Sequence, residues 1–151
     1  MNRLLRRRTA RPLITLGAAY IGAELLFQIV KVLTDRQRPA AEFAYRHYSG
    51  LAFPSGHATL TAAVFGALAA LIAAASTSWR TKVASWAAAL FIAIVVGVSR
   101  LYLGAHWLTD VLGGWALGAM WLTAVLVIVR PATTADADAD LEDGSGTQLR
   151  T

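Results

Sequence analysis

Hydrophobic residues in this chain form four long runs, which are separated by short polar segments. The runs cover about residues 13–33, 58–77, 83–103 and 107–129. Each approaches the roughly 20 residues that a helix needs to cross a bilayer, and each is too long and too apolar for a strand. Since lipid admits only structures that satisfy their own backbone hydrogen bonds, the pattern predicts an all-α, multi-pass transmembrane helical bundle with four spans.

Composition and charge narrow the class of protein. Of the 151 residues, 56% are hydrophobic and 15% are charged, which is typical of a membrane protein. There is no cysteine, so disulfides and thiolate metal sites are excluded. The basic residues lie at the ends of the apolar runs and do not form a soluble basic surface, so we expect no nucleic-acid partner. No cluster of acidic residues indicates a metal site, and we expect no metal and no cofactor.

The distribution of charge predicts the domains and the topology. Residues 1–12 form a basic N-terminal segment, residues 13–130 the transmembrane domain, and residues 131–151 an acidic tail of net charge −4. We expect this tail to be disordered, because it has almost nothing apolar to bury. Bases at the N-terminus, between the second and third spans, and at Arg130 share one side of the membrane if the spans alternate. Both termini are therefore predicted to be cytoplasmic.

The opposite side of the membrane also carries bases, together with all three histidines. The first polar cluster there is KVLTDRQRP at 31–39. Lys31 and Arg38 are seven residues apart, about two helical turns, so we expect both on one helix face, with Pro39 ending the helix. Two bases that extend to the membrane boundary would give the same pattern, and this cluster alone leaves both interpretations open.

The second cluster, PSGH at 54–57, stands at the start of an apolar run. Ser55 is a candidate N-cap, and Gly56 lets a backbone approach a ligand closely. The unpaired N–H groups and the dipole of a helix start favour an anion at this point. A simple helix cap beside an interfacial histidine explains the four residues equally well when they are taken alone.

The third cluster is SRLYLGAHWLTD at 99–110. His106 and Asp110 stand at i and i+4, so one helix face would present both. A carboxylate beside an imidazole selects its tautomer and leaves the other nitrogen available as a nucleophile. Ionisable groups near the membrane are costly, which favours a functional pair. Together, the three clusters supply cations, a helix start and two histidines on one predicted face, a set suited to phosphoryl transfer.

With these three motifs the chain resembles the type 2 phosphatidic acid phosphatase superfamily, which includes the vanadium haloperoxidases. All eleven specified positions of the family signature match, and the resemblance covers about residues 13–129. The resemblance implies that His106 attacks phosphorus and forms a phosphohistidine, that Asp110 orients it, and that His57 is the general acid and then the base. It also implies a set of phosphate-binding residues, namely Lys31, Arg38, Ser55, Gly56 and Arg100.

The resemblance implies a metal-independent membrane phosphatase that acts on a lipid phosphate or diphosphate at the extracytoplasmic face. Candidate substrates are phosphatidic acid, phosphatidylglycerol phosphate and a polyprenyl (di)phosphate. There are two alternative hypotheses: a non-catalytic membrane scaffold or partner subunit that lacks the two N-terminal helices, and a vanadate-dependent haloperoxidase. The intact motifs argue against a scaffold, and the four spans argue against a haloperoxidase because those relatives are soluble.

The first span departs from the family pattern. Membrane members usually have six spans, and the first motif ends the third of them, whereas this chain begins with the motif-bearing span. A truncated start and a minimal four-helix form that packs against a homo-oligomeric or other partner both remain open. The N-terminal segment also resembles a cleaved signal, but its span continues to Lys31 and Arg38, so we expect it to be retained.

Several polar and small residues have no role in the signature. We interpret Arg36, Arg46 and His47 as headgroup-facing or structural. Glu24 lies deep in the first span and needs a partner, either within the bundle or on other helices. The small-residue pair Gly114-x-x-x-Gly118 allows close helix contact, within the bundle or between chains.

Overall fold

The structure is a computed structural model that describes residues 2–39, 45 and 48–129. Its four helices are α1 (Asn2–Thr34), α2 (Gly56–Ala75), α3 (Trp79–Tyr102) and α4 (Leu108–Val129). The predicted acidic tail at 131–151, and the residues Arg46, His47 and Arg130, lie outside the described residues.

The predicted all-α bundle with four spans is confirmed. Residues Ala10–Thr34 of α1 and the whole of the other three helices are long and apolar enough to cross a membrane. The part of the chain that the structure describes contains no strand. The helix limits lie within a few residues of the predicted ones, except that α1 starts well before residue 13 and continues through Pro12.

The second helix is the centre of the bundle, because it packs against all three others, while α3 and α4 meet each other very little. Its inward positions carry small side chains, and Ala58, Ala63 and Ala67 are completely buried. Small residues let neighbouring backbones come close, which is how helices associate in lipid. Many large apolar side chains, such as Leu33 and Phe91, remain exposed on the outer surface of the bundle, as a lipid environment requires.

Two glycines, Gly114 and Gly118, allow α4 to pack closely against α2. A Cβ atom on Gly114 would lie 2.7 Å from the carbonyl oxygen of Ser55, and one on Gly118 would collide with the carbonyl oxygen of Thr59. The pair therefore makes a contact within the bundle, which was one of the two uses left open by the sequence.

The apolar run of α1 ends where it was predicted to, but the predicted continuation of the helix as far as Arg38 and Pro39 was wrong. The helix ends at Thr34, and Asp35 follows with a φ of 44°, a left-handed conformation that aspartate tolerates better than most residues. Arg38 therefore lies in an extended segment and does not share a helix face with Lys31. The segment after α1 then crosses the ends of the other helices, where Trp107 Nε1 donates a 3.3 Å hydrogen bond to the carbonyl oxygen of Gln37.

Candidate active site

One cavity of about 300 Å³ lies on the side of the bundle where α1 and α3 end and α2 begins. Six of the eight predicted site residues line it, namely Lys31, Arg38, Gly56, His57, Arg100 and His106. The other two, Ser55 and Asp110, are completely buried in the protein interior. The structure thus brings together the three motifs, which are widely separated in the sequence.

The start of α2 is tied to the start of α4 through main-chain hydrogen bonds. The amide of Ser55 donates to the carbonyl oxygen of Asp110 at 2.9 Å, and the carbonyl oxygen of Ser55 accepts from the amide of Thr59 at 2.9 Å. Ser55 occupies the N-cap position in an extended conformation, but its hydroxyl makes no capping bond, contrary to the prediction. Within the described residues that buried hydroxyl has no hydrogen-bond partner, and the structure does not bring it to the cavity as predicted for a phosphate-binding residue.

Gly56 has a packing role that the sequence did not indicate. A Cβ atom at this position would lie 2.9 Å from the ring of Phe27 on α1. The same ring lies 5.5 Å, measured to its centroid, from the ammonium group of Lys31. The absence of a side chain at Gly56 therefore allows the first turn of α2 to rest on Phe27, directly beside one of the cations.

Two cations are fixed in the cavity by main-chain carbonyl groups. Lys31 Nζ donates to the carbonyl oxygen of Leu51 at 3.2 Å. Arg38 donates from Nε to Gly50 at 3.0 Å and from Nη1 to Ala105 at 2.7 Å. Burial lowers the pKa of Arg38, although a guanidinium group remains charged at any physiological pH. Because both side chains carry further N–H donors, each can hold an anion without leaving its anchor.

His106 lies in the turn between α3 and α4, so the predicted helical face that carries both His106 and Asp110 does not exist. The histidine precedes α4, whereas Asp110 belongs to its first turn. The two side chains are nevertheless close, with 3.5 Å between Nδ1 and Oδ2. The other ring nitrogen, Nε2, lies 3.4 Å from Arg38 Nη1. A guanidinium can only donate, so this contact favours the tautomer with the proton on Nδ1 and a lone pair on Nε2.

Asp110 connects several parts of the site. Its Oδ2 atom accepts a 2.8 Å hydrogen bond from the amide of Trp107, which satisfies a main-chain donor at the start of α4. Its Oδ1 atom lies 3.0 Å from Arg36 Nη1. The sequence offered Arg36 only as a headgroup-facing or structural residue, because spacing cannot pair two side chains so far apart in the chain. The structure places its guanidinium directly on the buried carboxylate.

The remaining predicted residues face the same cavity from α2 and α3. Arg100, in the last turn of α3, donates from Nε and Nη2 to the hydroxyl of Ser99 at 3.2 and 3.1 Å. His57, in the first turn of α2, is exposed. Among the residues that the structure describes, no three histidine, aspartate or glutamate side chains converge closely enough to hold a metal ion.

The chain is similar in sequence and in fold to known proteins. The sequence model of the PAP2 superfamily matches residues 12–134, which include all three motifs. The chain belongs to the PAP2 superfamily. A crystal structure of a transmembrane PAP2-type phosphatidylglycerolphosphate phosphatase from Bacillus subtilis superposes with a TM-score of 0.68 and 32% sequence identity. The superposition covers 76% of this chain and 57% of that one.

Three relatives in sequence are named for different lipid phosphates. Phosphatidylglycerophosphatase B of Bacillus subtilis is 40% identical over 98 residues, 64% of this chain and 47% of that protein. An undecaprenyl-diphosphatase of Sulfolobus acidocaldarius is 31% identical over 82% of this chain and 58% of its own length. A lipid A 1-phosphatase of Rhizobium johnstonii is 33% identical over 76% and 50%, respectively. The chain thus spans about half the length of these relatives.

The protonation state of His106 in this PAP2 site follows from its surroundings. Burial, and after it the charge of Arg38, lower the pKa of His106 to about 4, although Asp110 acts in the opposite direction. The imidazole is therefore neutral at pH 7, and its Nε2 lone pair faces Arg38 Nη1. Protonation would remove that lone pair only as the pH falls through about 4.

Proposed function

We propose that this PAP2 chain carries the active site of a phosphatase that acts on membrane lipid phosphates or diphosphates. The observation that carries the proposal is the convergence of two histidines and three cations on one cavity at the end of four apolar helices. The names of the three relatives support the same class of substrate, a phosphorylated lipid.

In the first step, Nε2 of His106 attacks phosphorus, forming a P–N bond while the P–O bond to the lipid breaks. The departing oxygen takes a proton from His57, and the product is a phosphohistidine. Lys31, Arg38 and Arg100 stabilise the negative charge on the equatorial oxygens of the transition state. The main-chain N–H groups at the start of α2 point at the same anion. No step requires a metal ion, because side-chain cations neutralise the phosphate.

In the second step, His57 takes a proton from water, and the resulting hydroxide equivalent attacks phosphorus. The P–N bond breaks and inorganic phosphate leaves. The bond electrons return to Nε2 of His106, which regenerates the neutral imidazole. Asp110 stabilises the positive charge that the ring carries while it is phosphorylated, and its contact with Nδ1 shortens when charge develops, as catalytic contacts commonly do on ligand binding.

The bilayer supplies the substrate in this proposal. The apolar tail stays in lipid beside the helices, while the phosphate reaches the cavity at their ends. The excess of bases near the N-terminus and between α2 and α3 supports cytoplasmic termini and an extracytoplasmic active site.

The proposal is tested by measuring phosphate release from lipid phosphates with the full chain purified in detergent. The panel contains phosphatidic acid, phosphatidylglycerol phosphate, and a polyprenyl phosphate and diphosphate, each with and without EDTA. We expect release from at least one lipid, and the same rate in EDTA, because side-chain cations bind the phosphate. Absence of release from every lipid, or a loss in EDTA that a divalent cation restores, would contradict the proposal.

A further inference from the structure

Arg36 contacts Asp110 and Thr109 but has no role in the proposed mechanism. Its Nη1 atom lies 3.0 Å from Oδ1 of Asp110 and donates a 2.7 Å hydrogen bond to the hydroxyl of Thr109. Its carbonyl oxygen accepts from the amide of Ala52 at 2.8 Å, so the backbone of the residue is fixed as well. Among the described residues, no other arginine and no lysine forms an ion pair with Asp110, whose second oxygen lies 3.5 Å from Nδ1 of His106.

We propose that Arg36 is a positioning residue that holds the Asp110 carboxylate in place and shares its negative charge with His106. The inference rests on the proposed function of His106 as nucleophile. Arg36 does not line the cavity, so it cannot hold substrate phosphate as Arg38 does. Its side chain is 40% exposed, whereas the carboxylate it contacts is completely buried.

The Asp110 carboxylate interacts with two charged or titratable neighbours, Arg36 through Oδ1 and His106 through Oδ2. Asp110 favours the protonated form of His106, and Arg36, on the other oxygen, offsets part of that effect. The other charged or titratable groups that line the cavity with His106 come from every neighbouring element: Glu24 and Lys31 of α1, Arg38 and Tyr48 of the segment between α1 and α2, His57 of α2 and Arg100 of α3. Removing the charge of Arg36 leaves the full charge of Asp110 acting on the imidazole, which raises the pKa of His106.

The test replaces Arg36 with glutamine, which can still hydrogen-bond Thr109 but carries no charge. We expect kcat/KM at pH 7 to fall by about tenfold, the size of effect seen when outer-sphere partners of active-site groups are removed. We expect the acid limb of the kcat/KM profile to move upward by about one pH unit. Arg36→Lys, which carries a positive charge again, should return the acid limb to its wild-type pH. Thr109→Val, which leaves the contact between Arg36 and Asp110, should keep the wild-type limb.

An acid limb in Arg36→Gln at the wild-type pH would overturn the proposal and reduce Arg36 to a structural contact. The same titration can be followed without turnover by NMR of the ¹⁵N-labelled histidines, with His106 assigned from the His106→Ala spectrum. If the wild-type protein releases no phosphate, the proposed function fails, and the NMR titration of Arg36→Gln still decides the role of Arg36.

The end of the cavity that lies deeper in the bundle carries an acidic side chain, and this is a second and independent observation. Glu24 lies on α1 seven residues before Lys31, about 10 Å deeper along the helix, and lines the same cavity. Its Oε1 atom accepts a 3.2 Å hydrogen bond from Gln28, one turn further along the same helix. A carboxylate this far into an apolar span is costly, and such residues are commonly functional.

The cavity therefore has two chemically different ends. Ionised phosphate oxygens accept hydrogen bonds and carry negative charge, so they are bound by the cations near Lys31 and repelled by the Glu24 carboxylate. The atoms of a lipid substrate that follow the scissile oxygen must lead past His57 into the bilayer, at the level of Leu60 and Glu24. At that level a carboxylate binds a hydroxyl group and repels a second phosphate.

We infer that Glu24 is a specificity-determining residue that favours lipid monophosphates with a hydroxyl on the leaving group, as in a glycerol or sugar headgroup. This inference also rests on the proposed function, and it disfavours polyprenyl diphosphates. A site built to hydrogen-bond a hydroxyl discriminates strongly against analogues that lack one.

The test compares kcat/KM for phosphatidylglycerol phosphate, whose leaving glycerol has a free hydroxyl, with kcat/KM for a polyprenyl diphosphate. In Glu24→Leu we expect the ratio to fall by about tenfold or more. The control is Leu25→Ala, a change on the exposed, lipid-facing side of the same turn, which should leave the ratio unchanged. An equal change of both rates in Glu24→Leu would overturn the inference. Absence of activity on both lipids in the wild type would instead contradict the proposed function.

Discussion

Replacing His106 with alanine is expected to lower phosphate release by about three orders of magnitude or more, while the protein still inserts into the membrane. The reason is that Nε2 of His106 is the only protein atom that bonds to phosphorus in the proposed mechanism, and loss of this nucleophile removes the whole covalent route. The measurement is phosphate release in detergent from the best lipid of the panel, together with the yield of inserted protein.

The matched control for that variant is Leu108→Ala. Leu108 begins α4 two residues after His106, but its side chain is 57% exposed and does not line the cavity. We expect near wild-type activity from this control. Substantial turnover by His106→Ala would remove the covalent mechanism, whatever the control shows.

Replacing Gly114 with alanine is expected to lower both stability and activity. The new Cβ would lie 2.7 Å from the carbonyl oxygen of Ser55 and must push α4 away from α2. Overpacking of this kind costs about 1–3 kcal/mol. The displacement also stretches the 2.9 Å bond from the Ser55 amide to Asp110, which couples the two halves of the site. We expect a lower thermal unfolding temperature and a loss of most phosphate release.

Gly17 provides the control for this second prediction. It lies in α1, and a Cβ there would meet nothing within 4 Å. Gly17→Ala should therefore keep full activity and unfold at the same or a slightly higher temperature, since alanine is the better helix former. Equal unfolding temperatures for the two variants would show that the contact between α2 and α4 is not as close as described.

The number of helices could be predicted from the sequence because lipid leaves an apolar run of this length few alternatives to a helix. The stop of α1 before Arg38 could not be predicted in this way. Pro39 is a visible helix breaker, but the helix already ends at Thr34. Asp35 takes a left-handed conformation, and the carbonyl oxygen of Arg36 accepts a hydrogen bond from the distant amide of Ala52. Local propensity marks where a helix cannot continue, and tertiary contacts decide whether it stops sooner.

In the site too, local sequence patterns predicted some features, and tertiary contacts determined others. Three spaced motifs were enough to predict that His57, His106 and the cations face one place, and the cavity brings them together. The contact of Arg36 with Asp110 and the packing of Gly56 on Phe27 join residues that are distant in the chain, so no local pattern contains them. The unpartnered hydroxyl of Ser55, in place of the expected cap, depends on the neighbouring α4 in the same way.

The most direct test of the central claim is a single-turnover quench with a lipid carrying ³²P in its terminal phosphate. The reaction is stopped in alkali, in which phosphohistidine survives, and the labelled residue is located by mass spectrometry. The account predicts that label appears on His106 before inorganic phosphate is released, and that it is absent from His106→Ala. Release of phosphate with label on another side chain, or with none on His106 at any quench time, would contradict it.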